Sequence, residues 1–230
     1  MQYQRYAIFY TPAPGPPADF GAAWLGWDPV HGRRVAQCVI DGVDVPEITE
    51  TPRKYGFHGT IKPPFVLAEG QSEAKLRVAF AGFCETTAPV TTEALELAKL
   101  GSFLALQPGK PSAALLTMAA DVVRGMDGFR VPLTGAQMAR RRARKLSPEQ
   151  DKMLERWGYP YVIDEFRFHM TLTGRVSKAQ AGRIMHHLRL AIAPMIAAPF
   201  RVDALSLMGE DAAGMFHLIA RCALGGGGAG

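Results

Sequence analysis

Two short strings in this chain place a hydroxyl two residues after an imidazole: Phe57-His58-Gly59-Thr60-Ile61 and Phe168-His169-Met170-Thr171-Leu172. Side chains on a strand alternate between faces, so His58, Thr60 and Lys62 should share one face while Phe57 and Ile61 take the other. By the same rule Arg167, His169, Thr171 and Thr173 lie opposite Phe166, Phe168, Met170 and Leu172. Each strand is then expected to bury an apolar face and to present imidazole plus hydroxyl on the other. Brought together, the two polar faces suit in-line displacement at phosphorus. One histidine takes a proton from water and the other returns one to the departing alkoxide, each role being worth about 10²–10⁴-fold in rate. An ordinary imidazole titrates near about 6.5, so at neutral pH one can be neutral while the other is charged. Thr60 and Thr171 can donate to non-bridging oxygens, and Lys62 can offset the charge that develops there. This chemistry calls for no metal and no cofactor.

The elements that must position these groups recur. Glu93-Ala94-Leu95-Glu96-Leu97 resembles Asp203-Ala204-Leu205-Ser206-Leu207, and Ala94 and Ala204 lie 36 and 35 residues after their histidines. Each unit reads strand, helix, strand, strand, so a duplication is the economical account. Expected strands cover about 3–10, 35–40, 57–67, 93–99, 102–107, 166–172, 201–208 and 215–222. Expected helices cover about 19–27, 72–86, 112–124, 148–157 and 178–192. Ser147-Pro148-Glu149-Gln150 and Ser177-Lys178-Ala179-Gln180 are capping-box starts, and Gly158 and Pro194 stand at the expected stops.

The chain has 230 residues, 48% apolar and 20% charged, which fits a globular α+β protein and excludes general disorder or a rod. The expected architecture is a single bilobal domain over 1–224, with repeat halves of about 1–110 and 111–224. Two antiparallel sheets with flanking helices would face a central cleft, followed by a disordered Gly-rich tail at 225–230. No window approaches the roughly 18 apolar residues of a membrane span, the N-terminus reads as a strand, and three scattered cysteines offer neither a disulfide framework nor a metal knuckle. A cytoplasmic protein without membrane partners is expected. A net charge of +5 suits an anionic ligand. His31, His186, His187 and His217 have no ligand-spaced partners, and no phosphate-loop, dinucleotide or serine-elbow motif is present.

The paired motifs resemble the two-histidine phosphoesterase superfamily, whose members carry two His-x-Thr/Ser motifs on a bilobal α+β fold. The resemblance implies that His58 and His169 are catalytic and that Thr60 and Thr171 bind phosphate. The strings from Pro52 to Phe65, from Trp157 to Val162 and from Phe168 to Gly174 look like a bacterial branch associated with phosphonate use, in which the position of Gly59 is more often Ala. That likeness implies a small phosphorylated sugar as substrate, with nucleotides as the neighbouring choice and RNA disfavoured. Arg53, Tyr55, Thr173 and Tyr161 are further candidates for substrate contact. The run Arg140-Arg141-Arg142-Ala143-Arg144-Lys145 reads either as a solvated helical face or as a phosphate grip. The competing functional reading is a non-catalytic module that holds a nucleotide or RNA end in the same cleft. Which histidine is the base depends on how the substrate lies in a near-symmetric site, and the sequence leaves it open; His58 as base and His169 as acid is the working choice.

Overall fold

The computed structural model describes residues 2–196 and 198–226. Seven strands form one antiparallel sheet in the order β11-β10-β1-β4-β8-β7-β6. They are β1 (Arg5–Tyr10), β4 (Gly59–Phe65), β6 (Leu95–Leu100), β7 (Phe103–Pro108), β8 (Met170–Thr171), β10 (Ala204–Glu210) and β11 (Phe216–Ala223). Two small ribbons pair β2 (Trp27–Asp28) with β3 (Arg33–Arg34), and β5 (Val90–Thr91) with β9 (Arg201–Val202). The helices are α1 (Pro16–Leu25), α2 (Val45–Arg53), α3 (Glu73–Thr86), α4 (Ala113–Gly125), α5 (Gly135–Arg142), α6 (Pro148–Trp157) and α7 (Lys178–Ile196).

The fold is α+β, and the repeated order survives: β4 leads through α3 to β6 and β7, and β8 leads through α7 to β10 and β11. The hairpins are exchanged, however. The half of the sheet built from the chain ends holds β1, β4, β10 and β11, and the half built from the middle holds β6, β7 and β8. Accordingly α3 packs on β10 and β11 while α7 packs on β6. The two expected sheets meet as one, through the single pair Gly59↔Met170 between β4 and β8.

The main core contains Tyr6, Ile8, Ile61, Leu76, Phe80, Leu104, Met170, Leu188 and Leu207, all buried between the sheet and the helices. On the other face of the terminal half, Ala7, Phe9, Met208 and Phe216 form a second cluster. This is the face on which the polar side chains of the motifs lie.

Several local expectations change. Residues 35–40 form no strand, and a helix absent from the reading, α2, follows them, begun by the Asp44 side chain accepting from the Glu47 amide. The region 166–172 is regular only at Met170–Thr171, yet its alternation holds: Phe166, Phe168, Met170 and Leu172 are all buried. The last helix passes through Pro194 to Ile196; the amide that proline lacks would have bonded to Leu190, an exposed position. Gly225 and Gly226 are fixed rather than free, donating to the carbonyls of Cys84 and Thr87 at 3.0 Å each. The rest of the expected tail lies outside the described residues.

Candidate active site

The Gly59↔Met170 pair sets the geometry of the motifs. Continuing that register by one residue each way puts His58 across from Thr171 and Thr60 across from His169, where directly opposed Cβ atoms lie about 4.5–5.5 Å apart. A local twofold through this pair exchanges the histidines with each other and the threonines likewise. The four groups thus form a square rather than two separate dyads.

Both rings are held alike. His58 Nδ1 lies 2.9 Å from the Gly56 carbonyl and His169 Nδ1 lies 2.8 Å from the Arg167 carbonyl, two residues back in each case. A carbonyl only accepts, so each Nδ1 carries the hydrogen and each Nε2 is left for chemistry. His58 Nε2 is 3.1 Å from Thr60 Oγ1, whose hydroxyl donates to it when the ring is neutral. The Gly56 carbonyl is placed by α2. Gly56 donates to the Arg53 carbonyl at the helix end and turns the chain at φ 72°, where an added Cβ would meet Pro29 at 2.8 Å.

The environments of the two histidines differ. His58 is buried, with the Phe9 ring centroid at 4.1 Å and Tyr55 stacked at 5.5 Å. Tyr55 in turn stacks on Phe216 at 5.0 Å. This burial pulls the His58 imidazole down to about 4, the Gly56 carbonyl opposing and His169 adding a smaller downward push. His169 is only half-buried and has Phe103 beside it at 5.8 Å.

Two contiguous hollows of about 430 and 440 Å³ share Thr60, Pro63 and Tyr159. The first reaches Tyr55, His58 and Thr171, and the second reaches His169 and Tyr161. Of the sequence candidates, His58, His169, Thr60, Thr171, Tyr55 and Tyr161 therefore come to one cleft.

Three candidates are placed otherwise. Lys62 is 2% exposed; its Nζ donates to the Val123 carbonyl at 3.1 Å and faces Asp127 at 3.5 Å, on the core side of the sheet. The cause is a β-bulge: Phe9 faces Thr60 but Ile8 faces Lys62, so Ile61 is an extra residue and the alternation resets. Arg53 is half-buried and tied up by the protein itself, donating to the carbonyls of Leu25 at 2.8 Å and Pro46 at 2.6 Å and to Thr49 Oγ1 at 3.0 Å. Thr173 borders the cleft but is fully buried, accepting from the Leu104 amide and donating to the Gly174 carbonyl, both at 2.9 Å.

The cleft also holds residues that the reading did not single out as contacts: Arg5, Phe103, Arg175 and, from the basic run, Arg141. The density of that run was the available signal for Arg141. Arg5 and Phe103 sit far from the motifs in the chain, and only the sheet topology brings them near, whereas Arg175 directly follows Gly174 at the end of the second motif string. Away from the cleft, His31 and His217 pair with Asp28 and Asp211. Among the described residues no three His, Cys, Asp or Glu side chains gather as a metal site.

Residues 60–217, more than two thirds of the chain, match the model of a family described as "Protein of unknown function (DUF1045)". The chain belongs to this family. The matched span begins at Thr60 and includes the whole second motif, leaving His58 just outside it. Among curated proteins the chain is 36% identical over 218 residues to the "Ribose 1,5-bisphosphate phosphokinase PhnN" of Janthinobacterium sp. (strain Marseille), covering 90% of this chain and 48% of that one. It is 32% identical over 233 residues to the protein of the same name from Laribacter hongkongensis (strain HLHK9), covering 94% and 51%. The chain thus spans about half the length of these curated relatives. Among solved structures it is similar to E. coli LigT complexed with 3'-AMP, at 14% identity and a TM-score of 0.44 over 97% of this chain and 99% of that one. A phosphoesterase crystal structure matches at 13% and 0.41 over the same shares.

Proposed function

We propose that this family member is a two-histidine cyclic phosphodiesterase: it hydrolyses a cyclic phosphate ester of a small phosphorylated sugar, with His58 as base and His169 as acid. The observation that carries the reading is the square itself: two imidazoles anchored identically through Nδ1, each across a strand pair from the other motif's threonine. His58 Nε2 takes a proton from water as the water oxygen attacks phosphorus from the side opposite the leaving oxygen. The protonated His169 gives its Nε2 proton to the leaving alkoxide, so the ring opens to a phosphomonoester and the net change is addition of water. Thr60 swings its hydroxyl from His58 to a non-bridging oxygen, and Thr171 serves a second one, in a cleft where fixed donors act more strongly than in water.

Both transfers are made by side chains, so the reaction proceeds in the presence of a chelator. The sugar class is supported by the name of the curated relatives, which span this chain and as much again. Opening a 5-phosphoribosyl 1,2-cyclic phosphate at its 2-oxygen leaves ribose 1,5-bisphosphate, the compound in that name. On this reading the product is consumed by a sugar-phosphate kinase.

The test is phosphorus NMR of the protein with cyclic phosphates in EDTA, the panel including 5-phosphoribosyl 1,2-cyclic phosphate and nucleoside 2′,3′-cyclic phosphates. His58→Ala and His169→Ala should each stay folded and lose at least about 10²-fold in turnover. A folded variant with near-normal rates overturns the assignment.

A further inference from the structure

Two cations at the cleft, Arg141 and Arg175, have no use in the mechanism above; Arg175 is exposed and its Nε donates to Ser102 Oγ at 3.4 Å, whereas Arg141 is half-buried. Arg141 lies on α5 and borders the hollow that holds His58, with its Cζ 5.6 Å from the centre of the Tyr159 ring. Its neighbour Arg142 is tied to Asp151 at 2.6 and 3.0 Å, and Arg5 is paired with Glu210. Arg141 has no carboxylate partner among the described residues, and none of the residues lining that hollow is acidic. Burial works against its charge, and so do Arg5, Arg144 and Arg140 nearby. A guanidinium held half-buried on an aromatic face among other cations, with no counter-ion, is an anion receptor waiting for its anion. Arginine's planar fork matches a phosphomonoester through two parallel hydrogen bonds.

We propose that Arg141, steadied by Tyr159, binds a second, non-reacting phosphate of the substrate and so selects cyclic phosphates that carry a phosphomonoester elsewhere on the sugar. This rests on the reading of the cleft as a phosphate site. It assigns a role to one residue of the basic run, while Arg142 serves only to join α5 to α6.

Calorimetry separates the terms. Ribose 1,5-bisphosphate and ribose 1-phosphate are titrated into the unaltered protein and into Arg141→Ala, Arg141→Lys and Arg142→Ala. One charge-assisted contact to phosphate corresponds to roughly 10–100-fold in affinity. The 5-phosphate should therefore tighten binding at least about tenfold in the unaltered protein and in Arg142→Ala. It should tighten binding no more than about twofold in Arg141→Ala, with an intermediate gain for Arg141→Lys. Helix α5 buries no residue, so these variants should keep their circular dichroism. The proposal is overturned if the gain is equal with and without Arg141, or absent from the unaltered protein. A gain that depends on Arg141 without turnover of any cyclic phosphate would uphold the receptor and reject the hydrolase reading.

Discussion

Lys62→Met tests whether the bulge has removed a cation from the site. The side chain is 2% exposed, and burial is the largest influence on its amine, lowering it to about 8; Asp127 opposes the shift and Arg130 adds to it. Relative to an unfolded value near 10.5, about 2.5 units correspond to roughly 3 kcal/mol against the charged form in the fold. The sign follows from proton counts. Below about 8 both states are charged and the penalty is fully present; between about 8 and 10.5 the folded amine is already neutral while the unfolded one still binds its proton, so stability rises with pH. Met keeps most of the stem and removes the charge. Against the recovered penalty stands a Val123 carbonyl left without its donor, costing about 1–3 kcal/mol. Asp127 keeps Arg130 at 2.8 and 3.2 Å. The net expectation at pH 7 is a gain of about 1 kcal/mol, or about 2–4 °C in Tm for a chain of this size, with a weakened alkaline rise. Turnover should stay within about threefold. Urea melts at pH 7 and 9.5 beside the phosphorus assay read all three quantities. A folded Lys62→Met protein that loses 10²-fold in turnover would show that this amine acts on phosphate, and the reasoning from the bulge would be wrong.

Other outcomes follow from the same geometry. With His58 held down at about 4, kcat/KM should keep its value well below pH 6 and decline only towards that figure, whereas kcat, which reports the complex, should decline at higher pH because a bound phosphate favours the imidazolium; pH–rate profiles that fall together near 6.5 would contradict this. The unfolded chain binds the His58 proton below about 6.5 and the folded one only near 4, so this residue contributes roughly 3 kcal/mol of stability that is lost as pH falls through that window. His58→Phe should flatten the acid side of a stability–pH curve, and an unchanged slope would count against the burial argument. Gly59→Ala would set a methyl 2.4 Å from the Phe168 ring, which is confined by Tyr10 and Phe200. We expect a loss of about 1–3 kcal/mol in thermal melts; a variant as stable as the parent would mean that the ring can move aside.

Local patterning carried most of what was legible in the sequence. The alternation of the second motif from Phe166 to Leu172 and the Ser147 and Ser177 caps depend on neighbours a few residues apart, and each is present in the structure. What failed depends on distant partners. The Ile61 bulge exists only because β1 pairs with β4, so Lys62 could not be seen to leave the polar face. Arg53, a candidate ligand contact by its place before the first motif, is set by α2 against carbonyls of α1 and of the helix's own first turn. That helix was itself marked, by Asp44 with Pro46 and Glu47 behind it; the Pro and Gly around it hid the signal. Arg5 and Phe103 enter the cleft through tertiary pairing alone, while Arg175, next to Gly174, was legible one residue beyond the second motif string.

The two motifs are near copies, yet their surroundings are not, and on the proposed mechanism that difference would let a symmetric square run an asymmetric reaction. A base must be neutral and an acid protonated at the same pH, a state with the roles so assigned that two imidazoles in identical settings reach in only a minority of molecules. Here the Phe9–Tyr55–Phe216 stack dries one ring, while its twin stands half-open beside Phe103. Neighbouring groups whose environments push their proton affinities apart are how acid and base roles become assigned. The assignment should therefore follow the stack rather than the motif. Phe9→Ser with Tyr55→Ser admits water to His58 and should raise its titration towards 6.5, followed by imidazole proton NMR. The acid limb of kcat/KM should move up with it. If His58 still titrated near 4 in that variant, the stack would not be the cause, and the base role would need another source.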